Sequence, residues 1–393
     1  MNREFRIENR KLPVCILLLL VALPLGGETE WRTAREDYAW SFPEDHWARD
    51  GYKTEWWYFT GHLEAETGER FGYQFTIFRV GLVGDRPEIA SSWTAKDLVM
   101  GHVALSLLPD PTGRTAPTTG EGKNGGRHRF SEVVYRASAL LGGFGTYPDS
   151  LIAWCRPPAG TEGDWRLTWN GTGFDFEMKD DGRGFEFALT TRPIKPMVFQ
   201  GPDGFSRKSH GTTSASQYYS FTRMATEGTL KVDGRTFPVT GNSWMDKEFG
   251  SNQLGEQQVG WDWFSLQLDD GREVMLYLLR DKNEQIDYAS GTLVDASGET
   301  RYLTRDEFDL SASGTWTSPD GITYPSGWRL LLPTADIVCD IEPELADQEN
   351  RSSIVPTMRY WEGAVRVTDT AGQGLGQGYV ELTGYGDSSR PAL

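Results

Sequence analysis

The residues best suited to chemistry lie in the run Gly241-Asn-Ser-Trp-Met-Asp-Lys-Glu-Phe-Gly250. Read as a strand, it sends Asp246 and Glu248 to one face, with Trp244 beside them. Two carboxyls about 7 Å apart on the inner face of a barrel would be coupled, and a dry cavity would keep one of them protonated at neutral pH. A neutral carboxylic acid among indole rings can protonate an electron-rich alkene, and aromatic faces can hold the resulting cation. In the next run, Gly260-Trp-Asp-Trp-Phe-Ser-Leu-Gln-Leu268, Trp261 and Trp263 share a face and can line the same space. The same residues also have a structural reading. Carboxylates at i and i+2 can pair with Arg280 or Lys247, and tryptophans in short β-proteins commonly fill cores. Residue types alone leave both readings open.

A second constellation is Thr54-Glu-Trp-Trp-Tyr-Phe-Thr-Gly-His62, followed by Gly72-Tyr-Gln-Phe-Thr-Ile-Phe-Arg79. Glu55, Trp57 and Phe59 share one face, and Trp56, Tyr58 and Thr60 the other. Nearly every position is large, so both faces are expected to be covered. Glu55 is then either a buried acid paired with Arg79 or an exposed strand-end residue. His102, in Met100-Gly-His-Val-Ala-Leu105, either faces a pocket or is a hydrogen-bonded core histidine. Tyr218 and Tyr219 carry hydroxyls that suit a pocket wall or simple packing.

Other chemistries find little support. Gly142-Gly-Phe-Gly145 has no βαβ context and is not a dinucleotide fingerprint. Ser209-His210 lacks a GxSxG elbow. The five histidines show no ligand spacing and there is no CxxC, so no structural zinc or other metal site is expected. Cys155 and Cys339 either pair or remain separate buried thiols.

Strands must position these groups. Short alternating segments recur, such as Phe71 to Phe78, Trp165 to Trp169, Phe185 to Leu189 and Glu273 to Leu279, and the pairs Asp233-Gly234, Asp270-Gly271 and Asp320-Gly321 punctuate them. This grammar predicts an all-β chain of antiparallel barrels or sandwiches. The best junction between two domains falls near Thr222 to Gly228, giving 31–223 and 224–393, with a new hairpin beginning at Gly228.

The chain opens with Arg3, Arg6, Arg10 and Lys11, then an apolar run from Leu12 to Leu25, then Gly26-Gly27. That is the order of a secretory signal over residues 1–27. The apolar run is shorter than the roughly 20 residues a spanning helix needs, which favours cleavage over anchoring and a secreted or periplasmic address. Membrane contact is expected only through this segment, if it is retained. The net charge of −17 argues against nucleic acid as a partner.

Taken together, Glu55-Trp-Trp-Tyr-Phe-Thr-Gly-His-Leu63, Gly72 to Arg79, Tyr218-Tyr-Ser220, Trp244 to Gly250 and Gly260 to Phe264 resemble the signature of the carotenoid 1,2-hydratase (hydroxyneurosporene synthase) and AttH-like family. The resemblance runs from about residue 38 to nearly the end. It implies two lipocalin-like antiparallel β-barrel domains and a pocket for a lipophilic ligand, an isoprenoid or lipid. The family's hydratases are lyases that add water across an isoprenoid or carotenoid double bond without a cofactor. Their acid–base residues fall in motifs matching Asp246 to Phe249 and Tyr277 to Asp281. The resemblance thus marks Asp246, Glu248 and Tyr277 as candidate catalytic residues. Candidate ligand contacts are Glu55, Trp57, His102, Tyr219, Trp244, Trp261, Trp263 and Arg280. Lys247 and Glu248 stand where the hydratase pattern has His and Asn. That departure points toward the secreted AttH-like branch, associated with ABC-type transporters, where a non-catalytic lipid-binding role is the alternative.

Overall fold

Alternation of large apolar with small or polar side chains runs through most of the chain, and the chain folds accordingly into strands. The computed structural model describes residues 30–84, 91, 93–109, 127–211 and 214–386. The signal-like segment 1–27 lies outside them.

Thirteen strands form the first sheet. They are β1 (Thr54–Ala65), β2 (Arg70–Gly81), β3 (Asp97–Leu108), β4 (Arg127–Arg136), β5 (Gly142–Phe144), β6 (Leu151–Cys155), β7 (Trp165–Trp169), β8 (Phe174–Asp180), β9 (Phe185–Pro193), β10 (Val198–Phe199), β11 (Phe205–Arg207), β12 (Ala215–Val232) and β13 (Arg235–Asn252). Their order is β4-β3-β2-β1-β13-β12-β9-β8-β7-β6-β5, with β10 and β11 on β12, and the sheet is a near-closed barrel.

The second sheet takes β14 (Gln258–Leu268), β15 (Glu273–Asp281), β16 (Ile286–Val294), β17 (Thr300–Thr304) and β18 (Asp309–Ala312). A separate ribbon, β19 (Thr315–Thr317) and β20 (Thr323–Pro325), precedes β21 (Trp328–Leu332), β22 (Ile337–Pro343), β23 (Glu349–Arg351), β24 (Arg359–Thr368) and β25 (Gly374–Leu382). The sheet is ordered β17-β16-β15-β14-β25-β24-β22-β21-β18, with β23 on β24. The all-β, lipocalin-like class read from the sequence is the class observed.

The hairpin expected from Gly228 onward is the β12–β13 turn. Asp233 and Gly234 both take positive φ there, as a two-residue turn that matches strand twist requires. β12 runs on through residues 223 and 224, where the sequence places the domain junction. The sheets change over between Asn252 and Gln258.

Each sheet encloses an apolar core. Phe59, Phe75 and Phe176 stack inside the first barrel, with ring centroids 4.7 and 4.9 Å apart, so its interior is filled by its own side chains. A second core gathers Phe264, Leu276, Trp328, Leu330 and Trp361. A third apolar layer lies between the sheets and takes Tyr58, Tyr218, Trp244, Trp263, Tyr277 and Tyr379 from both. Gly72 permits close approach there, since a Cβ at that position would stand 2.8 Å from the Ala364 Cβ. Buried polar ties hold the layer shut. The Glu273 carboxylate of β15 takes Lys195 at 2.8 Å and Arg223 at 2.6 Å, and His62 of β1 donates to the Gly378 carbonyl of β25 at 2.9 Å.

Candidate active site

Backbone register places the polar groups of the intermediate layer in two rungs. Across the first sheet, His102, Thr76, Tyr58, Asp246 and Ser220 are successive cross-strand neighbours. Across the second, Glu362, Glu381, Trp263 and Tyr277 are. Because side chains alternate at period two, each rung presents one face, and the two faces meet. The Tyr58 ring stands edge-on to Trp263 at 5.2 Å, and the Trp263 indole donates to the Tyr218 hydroxyl at 3.2 Å.

Asp246 is the best-supported group in the layer. It accepts from Ser220 and from the Trp244 indole (2.7 Å) on Oδ1, and from the Tyr218 hydroxyl on Oδ2 at 2.7 Å. Groups behind them aim both hydroxyls. The Gln200 amide donates to Ser220 at 2.8 Å, and Trp263 donates to Tyr218, so each hydroxyl proton is left for Asp246. These three bonds fill three of the carboxyl's roughly four lone-pair directions, which leaves room for a proton on Oδ2. Burial pushes the Asp246 carboxyl up to about 7; the three donors oppose the rise and nearby Glu248 adds to it.

Glu248 has a different environment. It accepts from Ser216 and forms an ion pair with the Lys208 ammonium at 2.7 Å. Burial lowers Lys208 while Glu248 works against that, and the ammonium lies 4.2 Å from the Tyr277 ring centre. On the opposing sheet, Glu381 accepts from the Trp261 indole at 2.9 Å, and burial pushes it up to about 7. Glu362 accepts from Asn350 at 3.1 Å and is raised well above the carboxylate range by burial and then by Glu381. Tyr58, Tyr218, Tyr277 and Tyr360 are all raised, burial first, and stay neutral phenols.

The structure brings Asp246, Glu248, Tyr277, Trp244, Trp261 and Trp263 together in this layer. The carboxyl pair does not face a barrel interior, as the sequence reading had it; it lies on the outer face of the first barrel, covered by the second sheet. Neither carboxyl pairs with Arg280 or Lys247. Lys247, one residue along, points into the first barrel and ion-pairs Glu55, which also takes Arg79 at 2.7 Å. Arg280 lies inside the second barrel, 2.9 Å from Asp262 and stacked 3.7 Å over the Tyr385 ring.

Trp57 and Tyr219 are also in the first-barrel core. Trp57 donates to the His46 carbonyl at 2.7 Å, and Tyr219 meets the His46 ring at 2.6 Å. His102 does belong to the intermediate layer, bonded to the Tyr360 hydroxyl at 2.8 Å, and burial pushes it down to about 4. Cys155 and Cys339 are free thiols buried in separate cores. Among the described residues no cluster of His, Cys, Asp and Glu could hold a metal ion.

The profile of the AttH-like family matches residues 33–385. The chain belongs to the AttH-like family. A solved Nitrosomonas europaea protein described as an AttH is 32% identical, with a TM-score of 0.72 over 89% of this chain and 98% of that one. Kievitone hydratase from Nectria haematococca superposes with a TM-score of 0.60 at 14% identity, covering 90% of this chain and 96% of its own. CghA does so at 0.51 and 10% identity, covering 92% and 96%. These last two share the fold. Comparison with curated proteins finds no match.

Several residues of this AttH-like site escape sequence reasoning. Lys208 follows the short strand β11 in a segment without periodicity, so nothing local marks it. Glu362 and Glu381 do carry a signal. Each stands two residues after a tyrosine, Tyr360 and Tyr379, on the same face of its strand. The same spacing singles out Asp246 two residues after Trp244.

Proposed function

We propose that this AttH-like protein is a cofactor-independent hydro-lyase that adds water to a double bond of an isoprenoid or carotenoid-type substrate, with Asp246 as the acid. One observation carries the reading: Asp246 is a buried carboxyl raised into the neutral range, with donors already in place for its conjugate base. A general acid needs both properties, a proton at working pH and a stabilised anion once the proton has left. The proton passes from Oδ2 to an alkene carbon. The resulting carbocation lies among the rings of Trp244, Trp263, Tyr58 and Tyr218, whose faces favour positive charge. Water then forms the carbon–oxygen bond. Glu248 is held by Lys208 and serves to position and to set the field, while neutral Tyr277 lines the site.

Family membership supports the reading, and the solved kievitone hydratase is a hydratase on this fold. The signal-like order of residues 1–27 supports work outside the cytoplasm. The test is incubation of wild type and Asp246→Asn with an acyclic isoprenoid ending in a trisubstituted alkene. Gas chromatography would follow the tertiary alcohol and tryptophan fluorescence would follow binding. Alcohol from the wild type and none from the variant, at equal binding, supports the reading. Tight binding with no alcohol from either protein favours a lipid carrier instead.

A further inference from the structure

We propose that Glu381, with Glu362 beside it, is the second acid–base group of this site and takes the proton that the attacking water loses. The inference rests on reading Asp246 as the acid. Glu362 and Glu381 are direct cross-strand neighbours on β24 and β25, with side chains on the face that meets the Asp246 rung. Glu362 is buried, only 1% exposed, and Glu381 is half-buried. Among the described residues no arginine or lysine pairs with either. Their stabilisation comes from neutral donors instead, the Trp261 indole on Glu381 and the Asn350 amide on Glu362.

A further polar group is poised at the pair. The buried Tyr58 hydroxyl donates toward the buried Glu362 carboxyl, which that bond lowers. They lie close enough for the carboxyl to push the phenol up. Tyr58 is also the direct cross-strand neighbour of Asp246, so it stands between the Asp246 carboxyl and the glutamate pair.

The steps balance. The Asp246 O–H bond breaks as a C–H bond forms. Water forms the C–O bond, and its O–H bond breaks toward Glu381. The alcohol leaves with Asp246 ionised and Glu381 protonated, and return of that proton across the layer restores the site. Among the described residues, the charged and titratable groups facing the pair are Asp246, Glu248 and Tyr58 from the first sheet, with Lys208 behind Glu248, and Tyr277, Tyr360 and Tyr379 on its own sheet.

The test runs wild type, D246N, E381Q and E362Q in D2O with the isoprenoid alkene. Wild type yields alcohol with carbon-bound deuterium, and D246N yields neither alcohol nor exchange. E381Q keeps deuterium exchange into recovered alkene, because the cation still forms and loses a proton, while alcohol formation falls about 100-fold or more. Alcohol formation by E381Q within about tenfold of wild type overturns the proposal. Should E381Q fail to fold, E381D decides: its carboxyl is drawn back by one methylene, and the same split between retained exchange and lost alcohol is expected.

A wild type that shows neither alcohol nor exchange fails the Asp246 reading itself. The pairing is then read by 13C-glutamate NMR. The Glu362 signal, identified by its loss in E362Q, titrates at lower pH in E381Q if the two carboxyls are coupled. An unmoved signal overturns the pairing.

Discussion

The Lys208 ammonium and the Glu248 carboxylate form a 2.7 Å ion pair with the lysine side chain fully buried. One end of the intermediate layer is therefore ionic, and Asp246 at its centre is held by neutral donors alone. This contrast separates the roles of two carboxyls that stand only two residues apart.

Removing one member of that pair leaves a buried charge without its partner. Lys208→Met is expected to destabilise the fold by about 3–5 kcal/mol in urea denaturation. The double variant Lys208→Met, Glu248→Gln is expected to recover most of the loss. Equal destabilisation of single and double variants would show that the pair does not carry the effect.

Asp246 also sets a pH dependence of stability. Its folded value, about 7, lies above the ordinary 3.8, so the folded protein keeps a proton that the unfolded chain releases. Its contribution is full below about pH 4 and is lost as pH rises toward 7. His46, His102 and His128, pushed down to about 3, 4 and 4 by burial, act oppositely as pH rises toward their ordinary value. They are common to wild type and Asp246→Asn, so the difference between the two isolates the carboxyl. Wild-type stability relative to the variant should fall by about 3 kcal/mol from pH 4 to 7. A constant difference would deny the shift.

Tyr218 lowers Asp246 by donating to it. Tyr218→Phe should therefore move Asp246 further up and carry the alkaline limb of the pH–rate profile to higher pH. Loss of a bond to the developing carboxylate should slow turnover about 10- to 100-fold. An unshifted limb would remove Tyr218 from the support of the acid.

Neither described cysteine is available to reagents in the folded protein. Both are fully buried, and burial pushes the Cys339 thiol up to about 12 and raises Cys155 as well. Thiol titration should leave Cys155 and Cys339 unmodified under native conditions and modify both after denaturation. A disulfide-linked peptide in a non-reducing digest would contradict the structure.

The fold class was legible because strand alternation and Asp-Gly turns are local properties. So was the shared face of Trp244, Asp246 and Glu248, since period two belongs to the backbone. Which way that face looks is not local. Lys247 makes the opposite face polar too, so alternation gave no sign of inside against outside. The Glu55–Lys247–Arg79 group shows the consequence: the most polar-looking part of the first motif is an ion network within the first barrel. The approach of β24 and β25 to Asp246 depends on the pairing of β14 with β25, which no spacing reveals.

The central physical claim is a neutral carboxyl at Asp246, and the infrared difference spectrum between wild type and Asp246→Asn tests it most directly. The account predicts a protonated-carboxyl carbonyl band near pH 6 that gives way to carboxylate with a midpoint of about 7. A difference spectrum showing only carboxylate from about pH 5 upward would contradict it.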